Sequence, residues 1–208
     1  RVFWKYRHQN ADNALVCCGA NNRGVAVLND KVYMGTLDAH LIALDRINGQ
    51  VLWKAEVGDV NRAYSVTMAP LAVKDKIMVG VGGGEFGIRG YVAAFDAETG
   101  EQAWKTYTIP APGEPNHDSW EGDDWEHGGA PVWITGSFDP DLNLTYWGVG
   151  NPGPDWNAGQ RPGDNLYSDS AIALDADTGE LKWHFQFTPN YAYDYDSVQV
   201  PVLADVEW

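Results

Sequence analysis

The sequence predicts an all-β fold, a β-propeller built of four-stranded antiparallel blades, and three observations predict it. An Asp, a Gly four residues later and a Trp four residues after that recur three times, as Asp45/Gly49/Trp53, Asp96/Gly100/Trp104 and Asp175/Gly179/Trp183. The apolar run before each Asp alternates with the two-residue period of a strand. A second hairpin pattern precedes each copy. Internal repeats of this length are the mark of a propeller, in which each blade buries its faces against its neighbours.

The aligned segments are LIALDRINGQVLWKAEV (41–57), YVAAFDAETGEQAWKTYT (91–108) and SAIALDADTGELKWHFQF (170–187), each with Ala two residues before its Asp. Asn-Gly or Thr-Gly supplies the positive φ of a tight turn, and the Trp falls on the strand after it. The upstream hairpins are GVAVLNDKVYMG, APLAVKDKIMVG and WITGSFDPDLNLTYWGVG. Blades are therefore expected over 23–57, 65–108 and 130–187, with 1–8 and 197–208 as parts of flanking blades. Rings close with about 4 to 8 blades, so about three predict a piece of a longer protein. A complete sandwich with similar hairpins has no need of the repeated register. The stretch 110–127, PAPGEPNHDSWEGDDWEH, breaks the spacing and reads either as a functional excursion or as an ordinary surface loop.

Composition narrows the function. Of 208 residues, 44% are hydrophobic and 12% aromatic, enough for a sizeable core. The formal net charge of −15, from 29 acidic against 14 basic residues, repels phosphate backbones and argues against nucleic acid as a partner. No run approaches the roughly 18 apolar residues of a membrane helix. RVFWKYRHQN at the start contains no hydrophobic signal-peptide core.

In a propeller the innermost strands line the channel, and antiparallel pairing puts the start of the first strand and the end of the second on one face. The expected starts carry Arg23, Thr67, Trp133 and the triplet Asp194-Tyr195-Asp196. The expected ends carry Glu85, after Gly82-Gly83-Gly84, and Asn151. Gly82, Gly84 and Gly87 match the dinucleotide pattern G-x-G-x-x-G. The residues after them, IRGYVAAFD, alternate as a strand, whereas that fingerprint needs a helix N-terminus. These glycines instead let backbone approach a ligand closely. Asp194 and Asp196 read in isolation as solvated loop acids, but their register with Glu85 and Asn151 reverses that. Three carboxylates and an amide oxygen suit a hard, oxygen-loving cation.

The adjacent Cys17 and Cys18 fit neither a zinc site nor an ordinary disulfide framework. Their α-carbons are about 3.8 Å apart, below the usual lower limit of about 4.4 Å for a disulfide. The doublet reads as two buried thiols or as strain kept at a functional site. None of His8, His40, His117, His127 and His184 has ligand-like spacing to another, and Asn143-Leu144-Thr145 is a formal glycosylation triplet in a tight turn.

With these residues in place, the chain resembles the pyrroloquinoline quinone (PQQ)-dependent alcohol and methanol dehydrogenases, eight-bladed periplasmic quinoproteins. The motifs that carry the likeness are VCCGANNRG, GGGEFGIRGY, GVGNPGPDWN, RPGDNLY and DYD. The resemblance implies oxidation of a primary alcohol to the aldehyde by hydride transfer to metal-bound PQQ, with electrons passed to a cytochrome c. It implies a vicinal disulfide between Cys17 and Cys18 against one face of the quinone, Trp133 on the other, and Arg23 and Thr67 on its oxygens, with Gly83 and Gly84 beside it. Glu85, Asn151, Asp194 and Asp196 become the metal ligands and Asp194 the general base. Calcium-dependent members have a small or neutral residue at the position of Asp196, and the second acid implies the lanthanide-dependent type. An extra carboxylate offsets the extra charge of a trivalent ion. Before the base, Pro189-Asn190-Tyr191-Ala192-Tyr193 stands where many relatives carry an acidic residue and a Trp, which bears on substrate size. Two rival readings are a non-catalytic scaffold of the outer-membrane assembly type and a sugar-oxidising quinoprotein.

Overall fold

The computed structural model describes residues 1–207. Its twelve strands form three sheets, each with its strands in chain order and each antiparallel throughout. The first contains β1 (Ala26–Leu28), β2 (Lys31–Gly35), β3 (His40–Asp45) and β4 (Val51–Glu56). The second contains β5 (Leu71–Val73), β6 (Lys76–Gly80), β7 (Tyr91–Asp96) and β8 (Gln102–Tyr107). The third contains β9 (Ser137–Asp139), β10 (Leu144–Gly148), β11 (Ser170–Asp175) and β12 (Leu181–Gln186). Among the described residues no helix is long and apolar enough to cross a membrane.

The repeat now has a physical explanation at each of its positions. Its Ala pairs directly with its Trp across the third and fourth strands, as Ala43 with Trp53, Ala94 with Trp104 and Ala173 with Trp183. The register shifts just after that Ala in all three sheets, a bulge that twists the outer hairpin. The Asp carboxylate then accepts backbone N–H groups of the turn: Ile47 and Asn48 on Asp45, Glu98 and Thr99 on Asp96, Asp177 and Thr178 on Asp175. The Gly comes next in the left-handed region, at φ 74°, 77° and 74°.

Neighbouring blades meet on these turns. The ring of Trp4 lies over Gly49, Trp53 over Gly100 and Trp104 over Gly179, so close that an added Cβ would stand 2.5, 2.7 and 2.5 Å from the ring. Each indole N–H donates to a carbonyl of the same turn: Arg46 at 3.0 Å, Ala97 at 3.1 Å and Ala176 at 3.3 Å. Among the described residues no such turn lies beneath Trp183, which is 45% exposed. The core lies between the sheets, where Tyr33, Met68, Ile77, Phe95 and Trp147 are fully enclosed.

Residues 1–8 and 197–207 form no strand, although parts of flanking blades are expected there. A strand requires a ladder partner, and neither segment pairs with one. Trp4 nonetheless docks as the repeat's other Trp residues do. Trp208, at the end of the second expected segment, lies outside the described residues. The 110–127 stretch is pinned down by Trp120, which is buried and donates its N–H to Leu166 O at 2.5 Å.

Candidate functional site

The sequence places Arg23, Thr67 and Trp133 at the starts of first strands. The structure puts each a few residues earlier, since the ladders begin only at Ala26, Leu71 and Ser137. Likewise β6 ends at Gly80 and β10 at Gly148, so Glu85 and Asn151 lie on loops beyond them. Asp194 and Asp196 lie on irregular backbone. Beyond the ladder ends the chain is held by isolated contacts, such as the reciprocal Ser65–Gly82 bridge and the Arg23 N–H to Thr67 O bond of 3.0 Å. The shared face nevertheless exists.

A cleft of about 250 Å³ is lined by Cys17, Cys18, Arg23, Thr67, Gly83, Glu85, Trp133, Asp194 and Asp196, together with Asn21, Ser65 and Gly82. Gly83 has φ 117°, which an L side chain rarely adopts, and it leads into a single 3-10 turn, Gly84–Phe86, that presents Glu85. Strand β7 comes after it rather than an α-helix, as the rejection of a dinucleotide fingerprint requires. The sulfurs of Cys17 and Cys18 are in direct contact across α-carbons 3.8 Å apart. Cys18 takes the left-handed conformation, φ 64°. The Arg23 guanidinium stacks over Trp133, 4.7 Å from the ring centroid, and donates to Thr67 O at 3.4 Å.

A smaller recess of about 10 Å³ adjoins the cleft, and Gly84, Glu85, Pro131, Asn151, Asp155, Asp194 and Asp196 line it. Asn151 ties its loop to the acidic triplet. Its amide Nδ2 donates to Asp194 Oδ1 at 2.7 Å, its backbone N–H to Asp196 Oδ1 at 3.0 Å, and its Oδ1 accepts the Asp196 N–H at 3.0 Å. Among the described residues, no Lys, Arg or His ion pair involves any of the four carboxylates.

That crowding shows in their protonation. Burial, then the neighbouring Asp194 and Glu85, push the Asp196 carboxyl up to about 6. Burial, then Asp194, Glu85 and Asp196, push Asp155 up to about 6 as well. Among the described residues no three acid, His or Cys side chains converge as a ready-made metal centre. Like charges separate, and Asp194 and Asp196 turn oxygens to Asn151 instead.

Sequence reasoning passed over Asp155, although it sits four residues after Asn151 in the GVGNPGPDWN motif. It also passed over the contact between His8 and Asp38, 2.9 Å, with His40 at 3.3 Å from the same oxygen. That cluster ties the N-terminal segment to the β2–β3 turn, away from the cleft.

The fold and site define a propeller-type domain that opens a sulfur- and indole-walled cleft onto an oxygen-rich recess. The family model for the glucose/ethanol/alcohol dehydrogenase β-propeller domain of PQQ proteins matches residues 1–208, and the chain belongs to that family. Its relatives include the quinoprotein alcohol dehydrogenase PedH of Pseudomonas putida, 42% identical over 95% of this chain and 36% of the relative. The lanthanide-dependent methanol dehydrogenase of Methylacidiphilum fumariolicum is 42% identical over 99% of this chain and 37% of the relative. The solved structure of a europium-containing methanol dehydrogenase superposes with TM-score 0.89 at 40% identity, covering 95% of this chain and 38% of that one. The chain thus spans about a third of the length of the quinoprotein relatives it matches, from 29% to 38%.

Proposed function

We propose that this chain is the portion of a periplasmic PQQ-dependent alcohol dehydrogenase that contributes the general base, most metal ligands and the two walls that face the cofactor ring. The observation that carries this reading is the convergence on one cleft of Cys17, Cys18 and Trp133 with a recess of hard oxygen donors that form no ion pair among the described residues. The donor set fits a calcium or lanthanide ion rather than a soft metal. Bound PQQ supplies a two-electron acceptor, and the metal beside it a Lewis acid.

Glu85, Asn151, Asp194 and Asp196 would hold the metal. A bonded Cys17–Cys18 pair and Trp133 would enclose a flat ring, with Arg23 and Thr67 on its polar edge and Gly83 and Gly84 allowing close backbone approach. Asp194 takes the proton from the substrate hydroxyl. A trivalent ion is favoured over calcium because Asp196 adds a fourth oxygen group and a further negative charge to Glu85, Asp194 and Asn151. The substrate is a primary alcohol, the product its aldehyde, and the electrons leave to a cytochrome c. A sugar substrate is the second reading, since the family also includes glucose dehydrogenases.

The test is dye reduction by the full-length protein reconstituted with PQQ, with lanthanum or calcium supplied separately. Turnover of primary alcohols with lanthanum is expected, and Asp196→Ala abolishes that response while the melting temperature holds. Activity with calcium alone overturns the lanthanide assignment. Turnover of glucose but not of alcohols overturns the substrate.

A further inference from the structure

Arg161 is a fully buried cation, 0% exposed, that the proposed chemistry does not use. Burying a guanidinium is costly unless its donors are matched. No ion pair among the described residues includes it. Its donors go instead to neutral oxygens on separate segments: Nε to Pro154 O at 3.4 Å, Nη1 to Asn165 Oδ1 at 2.8 Å and Asn190 Oδ1 at 3.4 Å, and Nη2 to Tyr191 O. Asn165, itself fully buried, returns a bond from Nδ2 to Arg161 O at 3.1 Å.

The segments joined in this way are those that carry the recess. Pro154 adjoins Asp155 on the loop of Asn151, and Tyr191 precedes the Asp194–Asp196 triplet on the other side. Across the recess itself, the two segments are tied by hydrogen bonds that use Asn151 Oδ1 and oxygens of Asp194 and Asp196. Those are the oxygens a cation takes. A link that survives metal entry must therefore be made of other atoms, and the Arg161 fork uses none of the proposed ligands.

We infer that Arg161 is a positioning residue, which sets the spacing between the Asn151 loop and the Asp194–Asp196 segment and so the metal affinity of the recess. The inference rests on the metal reading above. A flat guanidinium reaches several acceptors in one plane, whereas an ammonium cannot, so geometry rather than charge is the essential property.

The experiment titrates the metal-free full-length protein with terbium(III), read by luminescence sensitised through its tryptophans, alongside thermal melting. Arg161→Lys and Arg161→Gln should bind terbium about 2- to 30-fold more weakly, the range for residues that act on a site without touching its ligand. Asn190→Ala, which removes one acceptor, should shift affinity in the same direction by less, and carries the test if the Arg161 variants do not fold. Tyr33→Phe loses a buried hydrogen bond to Ala97 O at a blade seam and controls for stability, with terbium affinity unchanged. A folded Arg161→Lys or Asn190→Ala protein that binds terbium like the parent overturns the inference. Failure of the parent itself to bind terbium overturns the metal reading, and this inference with it.

Discussion

The seams between blades and the mouth of the cleft are built on opposite principles. At a seam the polar groups of the repeat are answered: the indole N–H meets a turn carbonyl, the turn N–H groups meet an Asp, and the ring covers a glycine. At the cleft, four acids share one recess, none of them in an ion pair among the described residues, and burial with mutual repulsion raises Asp155 and Asp196 to about 6. A frame that satisfies itself can repeat along a chain. A site that leaves charges unanswered has the character of a place made for a ligand.

The strongest way to test that separation is to break a seam. Trp104 is 8% exposed, covers Gly179 and donates to Ala176 O. Trp104→Ala should cost about 3–5 kcal/mol, measured by urea unfolding of the full-length protein. Because the seam and recess share no partners, terbium affinity of the folded fraction should stay within about twofold. A large loss of metal affinity would show that the outer seam and the site are one coupled unit.

A pH series sharpens a related contrast, because a carboxyl of the surrounding frame, Asp38, and those of the recess contribute with opposite sign. Burial works against ionisation of Asp38, but hydrogen bonds from Thr36, His8 and the Ala11 N–H hold its carboxyl well below the usual carboxylate range. A depressed carboxylate stabilises the fold above its ordinary value of 3.8, and that contribution is lost as pH falls. Asp196 and Asp155 are raised to about 6, so the folded state binds their protons more readily than the unfolded chain. Their contribution is present below about 4 and lost as pH rises through about 6. Metal-free protein should therefore melt a few degrees higher near pH 5 than at pH 7.5. Asp196→Asn should shrink that difference. A wild type and Asp196→Asn pair with parallel curves would sink the assignment of crowding to the recess.

The two regions also differed in how far the sequence revealed them. The frame was legible because each position of the repeat has a local cause: a small residue opposite the Trp, an acceptor at the turn, a glycine where φ is positive. The repeat put a large ring where one blade packs against the next; what it did not reveal is that the ring covers the neighbour's turn glycine, since Trp4 and Gly49 meet only once the chain has folded. The cleft was legible where residues lie beside strand ends, which drew Glu85, Asn151 and Asp194 onto one face. Asp155 and Arg161 escaped because irregular loops place them. No period predicts that a buried guanidinium joins Pro154 to Tyr191.

The smallest effect separates the three turns from one another. Asp96 and Asp175 each accept two backbone N–H groups and a hydroxyl, from Thr99 at 3.1 Å and Thr178 at 3.0 Å. The first blade has Asn48 at that position. Its side chain accepts the Gln50 N–H at 2.8 Å, as the threonine hydroxyls accept those of Glu101 and Glu180, but it makes no bond to Asp45. These turns are exposed, so each hydrogen bond exchanges with water and is worth little net. Asp175→Ala and Asp96→Ala should each cost about 1 kcal/mol, and Asp45→Ala a few tenths less. Adding Asn48→Thr to the wild type should recover that difference, because the hydroxyl then has an acceptor waiting at Asp45. Equal costs at all three positions would mean that the backbone bonds alone hold the turn, and that the threonine is there to cap the strand beyond it.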